Sequence, residues 1–454
     1  AGIGGLAAAY DLARPAELVP MGGAPANQVT IFEAADYVGG LASGFKEPYW
    51  DWSVERYYHH WFQSDRDLLG LMDELGWRDK VHWIRPYTVM YHRVRFYPFD
   101  SIFSALLFPG LGWGIHKVRF GLVGLYLRLL NDWHNLEKVT AEAWMLRYAG
   151  AHVYRTMWQP LLEGKFGPYY RQVNMAWLWA RLKARTTRLG TFEGGFQAFA
   201  DALADRLRSM GVTIQLATPV KRIMIQRQAG TFDRAPAQGA LLLETPQGVQ
   251  AFDQCLVTTS PAALAHLAPE LPSEITRDLL ELKSLGAVVM VLALKQRLSE
   301  EGYYWFNLPK SAGFPFLALV EHTNFVSPDH FGGDHIVYLG DYVEAASLGI
   351  DGTRLEHEYF RLSQDELLQR FLPTLTRFNP AFAPGWVRNA WLFRTSYAQP
   401  VPLVNHSRRI PPIKMPLPGL YLASMSQVYP WDRGTNFAIQ IGRQAARMML
   451  ESRD

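Results

Sequence analysis

The chain has 454 residues, of which 49% are hydrophobic and 19% charged, so we expect a globular protein of two or three domains rather than a disordered one. Its net charge of +3 is small, and no basic run alternates with aromatic residues, which argues against nucleic-acid binding. Its single cysteine, Cys255, excludes an internal disulfide and a thiolate zinc site, and it fits a reducing compartment such as the cytoplasm. No metal site is predicted.

The first predicted elements are a glycine-rich turn, a helix, a loop and a strand. The turn at residues 1–5 leads into an alanine-rich helix over 6–13, a loop rich in proline and glycine covers 14–28, and a strand follows over 29–33. This order is the latter part of a βαβ unit. We expect the opening strand of that unit, with the first glycine of a G-x-G-x-x-G motif, to lie before Ala1, so that this sequence lacks its true N-terminus.

The rest of the chain alternates helical and strand patterns. The pattern over residues 65 to about 135 is mostly helical and begins with an amphipathic run that stops at Gly76, and further helical patterns extend over 141–185, 195–210 and 436–450. Strand patterns extend over residues 212–216, 220–225, 287–294, 336–339 and 420–423, with further β-rich sequence up to 259. Because strand–turn–helix pieces stand at both ends and in the middle, the sequence predicts interleaved domains. We expect a discontinuous dinucleotide domain, a helical cap or substrate region and a substrate-domain sheet, at residues 1–66 with 190–275 and 405–454, at 67–189 and at 276–404.

The opening turn carries part of the dinucleotide-binding fingerprint. Gly2 and Gly5 occupy its second and third glycine positions. The second glycine lets the backbone approach a pyrophosphate, and the third lets the helix pack closely on the sheet. Glu33 ends the next strand, where a carboxylate accepts hydrogen bonds from ribose hydroxyls and repels the 2′-phosphate of NADP. A plain helix–strand turn is the alternative interpretation.

The residues after Glu33 favour FAD over NAD. Gly39 and Gly40 follow within a few residues, and here the chain resembles the flavin amine oxidase superfamily, which includes protoporphyrinogen oxidases, phytoene desaturases and UDP-galactopyranose mutases. In that superfamily the glycine pair lies along the pyrophosphate and ribityl chain, and an arginine often follows it. Because Leu41 and Ala42 follow the pair here, that phosphate contact is either absent or supplied elsewhere.

Later stretches resemble the same superfamily, so that the resemblance covers nearly the whole chain. The stretches are Gly194-Gly195-Phe196 at the return to the flavin domain, Thr218-Pro219-Val220 at the strand whose valine pairs with adenine, residues 419–423, and Arg433-Gly434-Thr435-Asn436 in the closing flavin motif. Asp432 is the carboxylate nearest that motif. Residues 162–167, 320–325 and 429–434 look like a bacterial and archaeal branch usually called protoporphyrinogen-oxidase-like.

The resemblance implies the fold and the cofactor. We expect an α/β fold in which a Rossmann-type, glutathione-reductase-like FAD-binding domain is interleaved with a mixed α+β substrate domain, and one FAD bound non-covalently. A helix that begins near Asn436 would direct its dipole at the anionic reduced flavin, whereas an ordinary capped helix is the alternative. The expected cofactor contacts are Gly2, Gly5, Glu33, Gly39, Gly40, Leu41, Val220, Asp432, Gly434, Thr435 and Asn436.

Three groups of polar side chains are candidates for the substrate site. They are Tyr57 to His60 after the glycine pair, Glu321 with His322 and Asn324 after an apolar strand, and Arg394 with Tyr397 and Gln399 before the closing motif. From these we select His60, Glu321 and Arg394 as catalytic candidates. A packed corner, a strand-end turn and a surface loop are the respective structural alternatives. Glu163 and Lys165 are interpreted as a surface pair, and Arg181 and Arg185 as residues of a helix face.

The first functional hypothesis is an FAD-dependent oxidoreductase that removes hydride from a largely apolar or cyclic substrate, in which His60 or Glu321 accepts the proton and the electrons pass to oxygen, a quinone or a protein carrier. The abundance of aromatic residues fits an apolar cavity. The alternatives are a sugar enzyme with no net redox change, like UDP-galactopyranose mutase, whose arginines would bind a diphosphate, and a non-catalytic flavin-containing assembly subunit.

The segment at residues 103–130 combines large apolar residues with Lys117, Arg119 and Arg128. It is interrupted by proline, glycines and charges, so it does not resemble a membrane span. The segment predicts either peripheral contact with the inner face of a membrane or a helical cap packed on the substrate domain.

Overall fold

The computed structural model describes residues 1–14, 27–226, 241–345, 347–348 and 354–452. Most of the predicted loop at 14–28 therefore lies outside the described residues, as does part of the β-rich segment before residue 259. The α-helices, numbered in chain order, are α1 (Ile3–Leu12), α2 (Arg66–Leu75), α3 (Ile102–Leu107), α4 (Ile115–Leu129), α5 (Ala141–Tyr148), α6 (Ala151–Val153), α7 (Gln159–Phe166), α8 (Met175–Ala184), α9 (Phe196–Ser209), α10 (Pro261–Leu267), α11 (Ser273–Glu281), α12 (Gln364–Phe371) and α13 (Thr435–Glu451).

The strands are numbered in the same way. They are β1 (Thr30–Phe32), β2 (Gly44–Phe45), β3 (Val54–Glu55), β4 (Trp61–Phe62), β5 (Val81–Ile84), β6 (Thr88–His92), β7 (Arg95–Pro98), β8 (Leu189–Phe192), β9 (Thr213–Gln215), β10 (Arg222–Ile225), β11 (Leu241–Thr245), β12 (Gly248–Phe252), β13 (Cys255–Val257), β14 (Ser284–Leu294), β15 (Trp305–Asn307), β16 (Ala318–Glu321), β17 (His335–Val343), β18 (Ser347–Leu348), β19 (Arg354–Leu355), β20 (Val387–Pro400) and β21 (Leu420–Leu422).

Two pairs of parallel strands come from segments far apart in the sequence. Strand β1 pairs with β9, and β13 pairs with β21. Parallel neighbours need crossover connections, and helices α1 and α9 supply apolar faces that bury Leu6, Phe199 and Leu203 in one core with the first strand pair. These elements confirm the strand and helix patterns that the sequence predicts at both ends and in the middle of the chain.

Helices α1 and α13 pack at backbone distance through glycines. A Cβ on Gly442 would collide with the carbonyl oxygen of Gly4, and a Cβ on Gly4 would lie 2.9 Å from the carbonyl oxygen of Ala438. Because both contacts involve the first turn of α1, the N-termini of the two helices lie close to each other. The positive ends of two helix dipoles therefore face the same region of the molecule.

The largest sheet has seven strands in the order β20-β14-β17-β16-β15-β6-β7. Strand β14 pairs antiparallel with β17 on one side and with β20 on the other. Because side chains alternate along a strand, Val288 and Met290 face one core while Val289 and Val291 face another. The sheet is thus buried on both faces, which explains the continuous apolar run of β14.

Helices α3 to α8 form a layer whose core contains large aromatic side chains. Helix α8 buries Trp177 and Trp179, and α4 contributes Val123 and Leu127 to the same core. Among the described helices none combines the length and the apolar character that crossing a bilayer requires.

We expect Gly442→Ala to destabilise the protein, because the added methyl group collides with backbone rather than with a flexible side chain, at a cost of about 1–3 kcal/mol or more. Thermal unfolding should show a lower Tm. Gly70→Ala is the matched control, because Gly70 lies within α2 and a Cβ added there would have no neighbour within 4 Å. That substitution should leave the Tm unchanged or raise it, since alanine favours helix by roughly 0.5–1 kcal/mol. Equal Tm values for the two variants would contradict this packing.

Candidate functional site

The glycines at the start of the chain and the glycine pair meet at the N-terminus of α1. Gly2 forms a parallel bridge with Gly39, whose amide donates to the carbonyl of Ala1 at 2.9 Å. A Cβ on Gly40 would lie 3.0 Å from the Cα of Gly2, and Gly40 has a φ of 59°. Gly5 lies behind this contact, and a Cβ there would come within 3.1 Å of the Thr258 hydroxyl. The result is a backbone cradle that side chains would fill, at a helix end that favours anions.

Glu33 lies directly after β1, where the sequence predicts a ribose ligand. One of its carboxylate oxygens accepts from the amide of Ala35 at 2.9 Å, and the residue lines a cleft. The amide of Thr218 donates to the Glu33 carbonyl at 2.7 Å. The segment that leads to Val220 therefore passes beside Glu33, which keeps Val220 a candidate for an adenine contact.

The cleft beside Glu33 adjoins a second cavity. Leu41, Tyr57 and Thr395 line both. The cleft is lined by Glu33, Ala35, Tyr37, Gly40, Leu41, Ser43, Arg56, Tyr57, Leu392, Phe393, Arg394 and Thr395. The cavity is lined by Leu41, Tyr57, Tyr58, His59, Ala287, Val289, Leu317, Gly340, Asp341, Tyr342, Thr395, Ala398 and Arg433. The cleft and the cavity, placed side by side, thus mark a path from Glu33, past Gly40, to Arg433 beside the N-terminus of α13.

Two polar atoms in the cleft have no hydrogen-bond partner among the described residues. They are the Ser43 hydroxyl and the Arg56 Nε, both buried. The Arg56 guanidinium stacks on the Tyr37 ring with its carbon 4.3 Å from the ring centroid. Buried polar groups usually have partners, so these two atoms suit a polar ligand in the cleft. Sequence reasoning did not select Arg56, a cation that lines the cleft together with Gly40.

The closing motif lies at the start of α13 and leaves space beside the Gly434 backbone. A Cβ on Gly434 would touch nothing closer than 3.9 Å, so there is space beside this helix N-terminus. Thr435 and Asn436 are buried, and the Asn436 side-chain oxygen accepts from the Leu68 amide at 3.0 Å. The side chain of Asn436 therefore holds α2 against α13.

The Tyr57 to His60 segment borders the cavity through its first three residues. Burial first, and then the positive charge of Arg433, lower the pKa of His59 to about 4. His59 Nδ1 forms a hydrogen bond with the Tyr57 carbonyl. Because a carbonyl oxygen only accepts, Nδ1 carries the proton and Nε2 is the acceptor. His60 is not among the lining residues of either cavity, its Nδ1 has no partner among the described residues, and burial lowers its pKa to about 3.

The other two catalytic candidates do not line the cavity, although Arg394 lines the cleft beside Glu33. Both carboxylate oxygens of Glu321 accept backbone amides, from Leu298 at 2.8 Å and Ser299 at 2.9 Å, so this buried residue holds a turn together. The Arg394 guanidinium donates to the carbonyls of Tyr359 and Leu362. The pairing of strand β20 explains why the Arg394 side chain points toward these carbonyls.

Arg394 pairs with Val288 in the sheet, whereas Thr395 pairs with Ala287. Because side chains alternate, Arg394 points to the face opposite the cavity, while Thr395 and Ala287 line the cavity. A shift of one residue in the register would exchange these roles, and the sequence alone does not reveal the register.

Asp432 belongs to a cluster of buried charges beyond the cavity wall. Its carboxylate accepts from Lys165 at 2.7 Å, from Arg181 at 3.0 Å and from the Trp177 indole at 3.2 Å. Burial lowers the pKa of Lys165 to about 7, although the Asp432 charge opposes the shift. Lys165 is only 8% exposed, so the predicted surface pair with Glu163 is wrong.

The Glu163 carboxylate instead accepts from the Gln159 amide at 2.7 Å. The sequence does contain one signal for the cluster, which is the four-residue spacing of Trp177 and Arg181 that places both on one face of α8.

Comparison with known proteins agrees with this geometry. The family of flavin containing amine oxidoreductases matches residues 3–450. A search of curated proteins finds no match. Among solved structures, a protein assigned as a protoporphyrinogen oxidase from Exiguobacterium sp. 255-15 is 18% identical, with a TM-score of 0.71, over 99% of this chain and 97% of that chain.

Two other solved structures share the fold. Reduced UDP-galactopyranose mutase is 14% identical, with a TM-score of 0.72, over 100% of this chain and 94% of that chain. Cyclohexylamine oxidase from Brevibacterium oxydans IH-35A is 15% identical, with a TM-score of 0.64, over 100% and 97%. At these identities the likeness concerns the fold.

The chain belongs to the flavin containing amine oxidoreductase family. It is a flavin oxidoreductase with an α/β fold, and its cofactor is FAD, which confirms those expectations. The residues present suit that cofactor, because the glycine cradle, the helix N-terminus and the unpartnered Arg56 Nε lie in one cleft with Glu33.

We expect Glu33→Ala to weaken FAD binding, because the ribose hydroxyls lose a charged acceptor worth roughly 1.5–3 kcal/mol, or about 10- to 150-fold in Kd. The measurement is titration of the apoprotein with FAD. Asp36→Asn is the control, because it removes an exposed carboxylate three residues away. An unchanged Kd in the Glu33 variant would exclude this residue as the ribose ligand.

Proposed function

We propose that the protein removes hydride from a largely apolar or cyclic organic substrate in the cavity that ends at Arg433. The observation that supports this most strongly is the cavity wall. Ala287, Val289 and Leu317 contribute aliphatic side chains, and Tyr58 and Tyr342 contribute rings. Such a surface binds apolar groups by excluding water, and the polar side chains of His59 and Arg433 at the same cavity can fix their orientation.

The residues of the chain position the substrate and handle the proton. When bound, FAD supplies the hydride-accepting chemistry. Tyr58 and Tyr342 provide rings against which the substrate packs, and Val289 helps exclude water. His59 offers Nε2 as the acceptor for the accompanying proton, because its Nδ1 proton is engaged by a carbonyl. Because its pKa is lowered to about 4, His59 passes that proton on and does not stay protonated at neutral pH. His59 thus replaces His60 and Glu321 in this role.

The alternative is a flavin-dependent sugar enzyme without net redox change. The group of arginines around Asp432 favours this alternative, because guanidinium groups suit a diphosphate. However, Arg433 is the only arginine that lines the cavity among the described residues. The oxidoreductase therefore accounts better for the cavity wall.

The purified protein should be yellow. Under anaerobic conditions, cyclic amines, porphyrinogens or isoprenoids should bleach its flavin absorbance. Gly340→Val should slow bleaching roughly tenfold or more, because the new side chain enters the cavity between Val289 and Tyr58 at a cost of about 1–3 kcal/mol. Gly385→Val, with nothing within 4 Å, is the control. If no compound bleaches the flavin and UDP-galactose turns over only with dithionite-reduced protein, the sugar-enzyme alternative is correct.

We also propose that the protein contacts anionic membrane surfaces through helices α3 and α4. Trp113 is 90% exposed, Phe103 82% and Leu129 69%, while the opposite side of α4 is buried. No Asp or Glu occurs between Asp100 and Asp132, although Lys117, Arg119 and Arg128 do. An exposed apolar face with only positive charges is complementary to anionic lipid.

Flotation with vesicles that contain phosphatidylglycerol should carry the protein upward, and the double substitution Trp113→Ser with Leu122→Ser should abolish this. Val249→Ser removes an exposed apolar side chain from β12 and should have no effect. A wild-type protein that does not float would favour the helical cap interpretation.

A further inference from the structure

Tyr342 lies on the face of strand β17 that lines the cavity. Across the sheet it pairs with Ala287, while Gly340 pairs with Val289, and all four residues line the cavity. The Tyr342 hydroxyl accepts a hydrogen bond from the Arg433 guanidinium, which lines the cavity as well. The hydroxyl therefore lies where the apolar wall of the cavity meets its cationic end.

The contact with Arg433 leaves the hydroxyl proton of Tyr342 free. A guanidinium group has only donors, so the Tyr342 oxygen is the acceptor in this contact. Among the described residues none accepts the proton that the hydroxyl still carries. A polar hydrogen without a partner at the wall of a ligand cavity suits an acceptor atom of the ligand.

Arg433 is itself held in place, which fixes the direction of that donor. Its Nε donates to the Gln399 Oε1 at 3.2 Å, and Gln399 is only 2% exposed. The Gln399 side-chain nitrogen donates in turn to the Pro400 carbonyl at 3.1 Å, so this side chain is fixed as well. Since the guanidinium occupies one side of the Tyr342 oxygen, the O–H bond points away from Arg433. A cationic donor on the oxygen also polarises the hydroxyl and strengthens it as a donor.

The charges around the cavity disfavour a protonated amine beside Tyr342. Arg433 lines the cavity, and Lys165 Nζ lies 5.8 Å from the centroid of the Tyr342 ring. Asp341 is the only acidic residue among those described that lines the cavity. Its side chain alternates to the opposite face of β17, where Oδ1 lies 3.8 Å from Lys310 Nζ. An ammonium group would therefore meet cations, whereas a carbonyl or hydroxyl oxygen would meet a donor.

We propose that the Tyr342 hydroxyl donates a hydrogen bond to an acceptor atom of the substrate and so positions the substrate in the cavity. This rests on the proposed function, because it takes the cavity as the substrate site. The substrate class becomes an apolar or cyclic molecule that carries a carbonyl or hydroxyl oxygen. Among the candidate substrates of the proposed function, those that carry a protonated amine suit the cavity least.

The test is titration of the FAD-loaded protein with three probes of similar shape, followed by calorimetry and flavin absorbance. Acetophenone presents a carbonyl oxygen, α-methylstyrene has a methylene group in place of that oxygen, and α-methylbenzylammonium carries a positive charge. Tyr342→Phe should raise the Kd of acetophenone about 2- to 13-fold, as expected for the loss of one hydrogen bond. The Kd of α-methylstyrene should not change. A purely structural role of Tyr342 would move both Kd values together.

Tyr87→Phe is the matched control, because it removes a hydroxyl from a residue that is 57% exposed, and it should change neither Kd. Equal effects of Tyr342→Phe on acetophenone and α-methylstyrene would overturn the proposal and leave the proposed function standing. Tighter binding of α-methylbenzylammonium than of acetophenone by the wild type would do the same. If none of the probes binds, the cavity is not an apolar substrate site, and the proposed function fails together with this proposal.

Discussion

The structure depends on the close approach of backbone at the N-termini of α1 and α13. Gly4 and Gly442 bring the two helices into contact, and Gly2 meets Gly39 and Gly40 at the start of α1. No side chain fits these contacts, so the helix ends and their amide groups remain open to a ligand. The dinucleotide-like cleft is thus made by main chain, and side chains such as Glu33 and Arg56 add selectivity at its edges.

The seven-stranded sheet determines which side chains line the cavity near Arg433. Alternation along β14 and β20 divides their side chains between a cavity face and a packed face, which separates Thr395 from Arg394. Helices α7 and α8 then bring Lys165 and Arg181 against residue 432 from a different part of the chain. An apolar wall and a cationic end therefore meet at the cavity.

The sequence reveals features that depend on local spacing. The glycines, the acid after β1 and the starts of α9 and α13 are recognisable because each needs only a few consecutive residues. The cationic cluster depends on segments about 250 residues apart that approach only in the folded chain. The face of the sheet to which Arg394 points depends on strand register. The role of Glu321 depends on the backbone amides of residues 298–299. The sequence pattern alone therefore cannot distinguish a structural polar residue after an apolar strand from a site residue.

The most direct test of this account is a crystal structure of the protein saturated with FAD. The account predicts continuous density for one FAD along the path from the Glu33 carboxylate, past the glycine pair, to Arg433 at the start of α13. It also predicts that a phosphate oxygen of the cofactor lies within hydrogen-bond distance of Arg56. An FAD bound elsewhere, or an empty cleft in crystals of the saturated protein, would contradict the account.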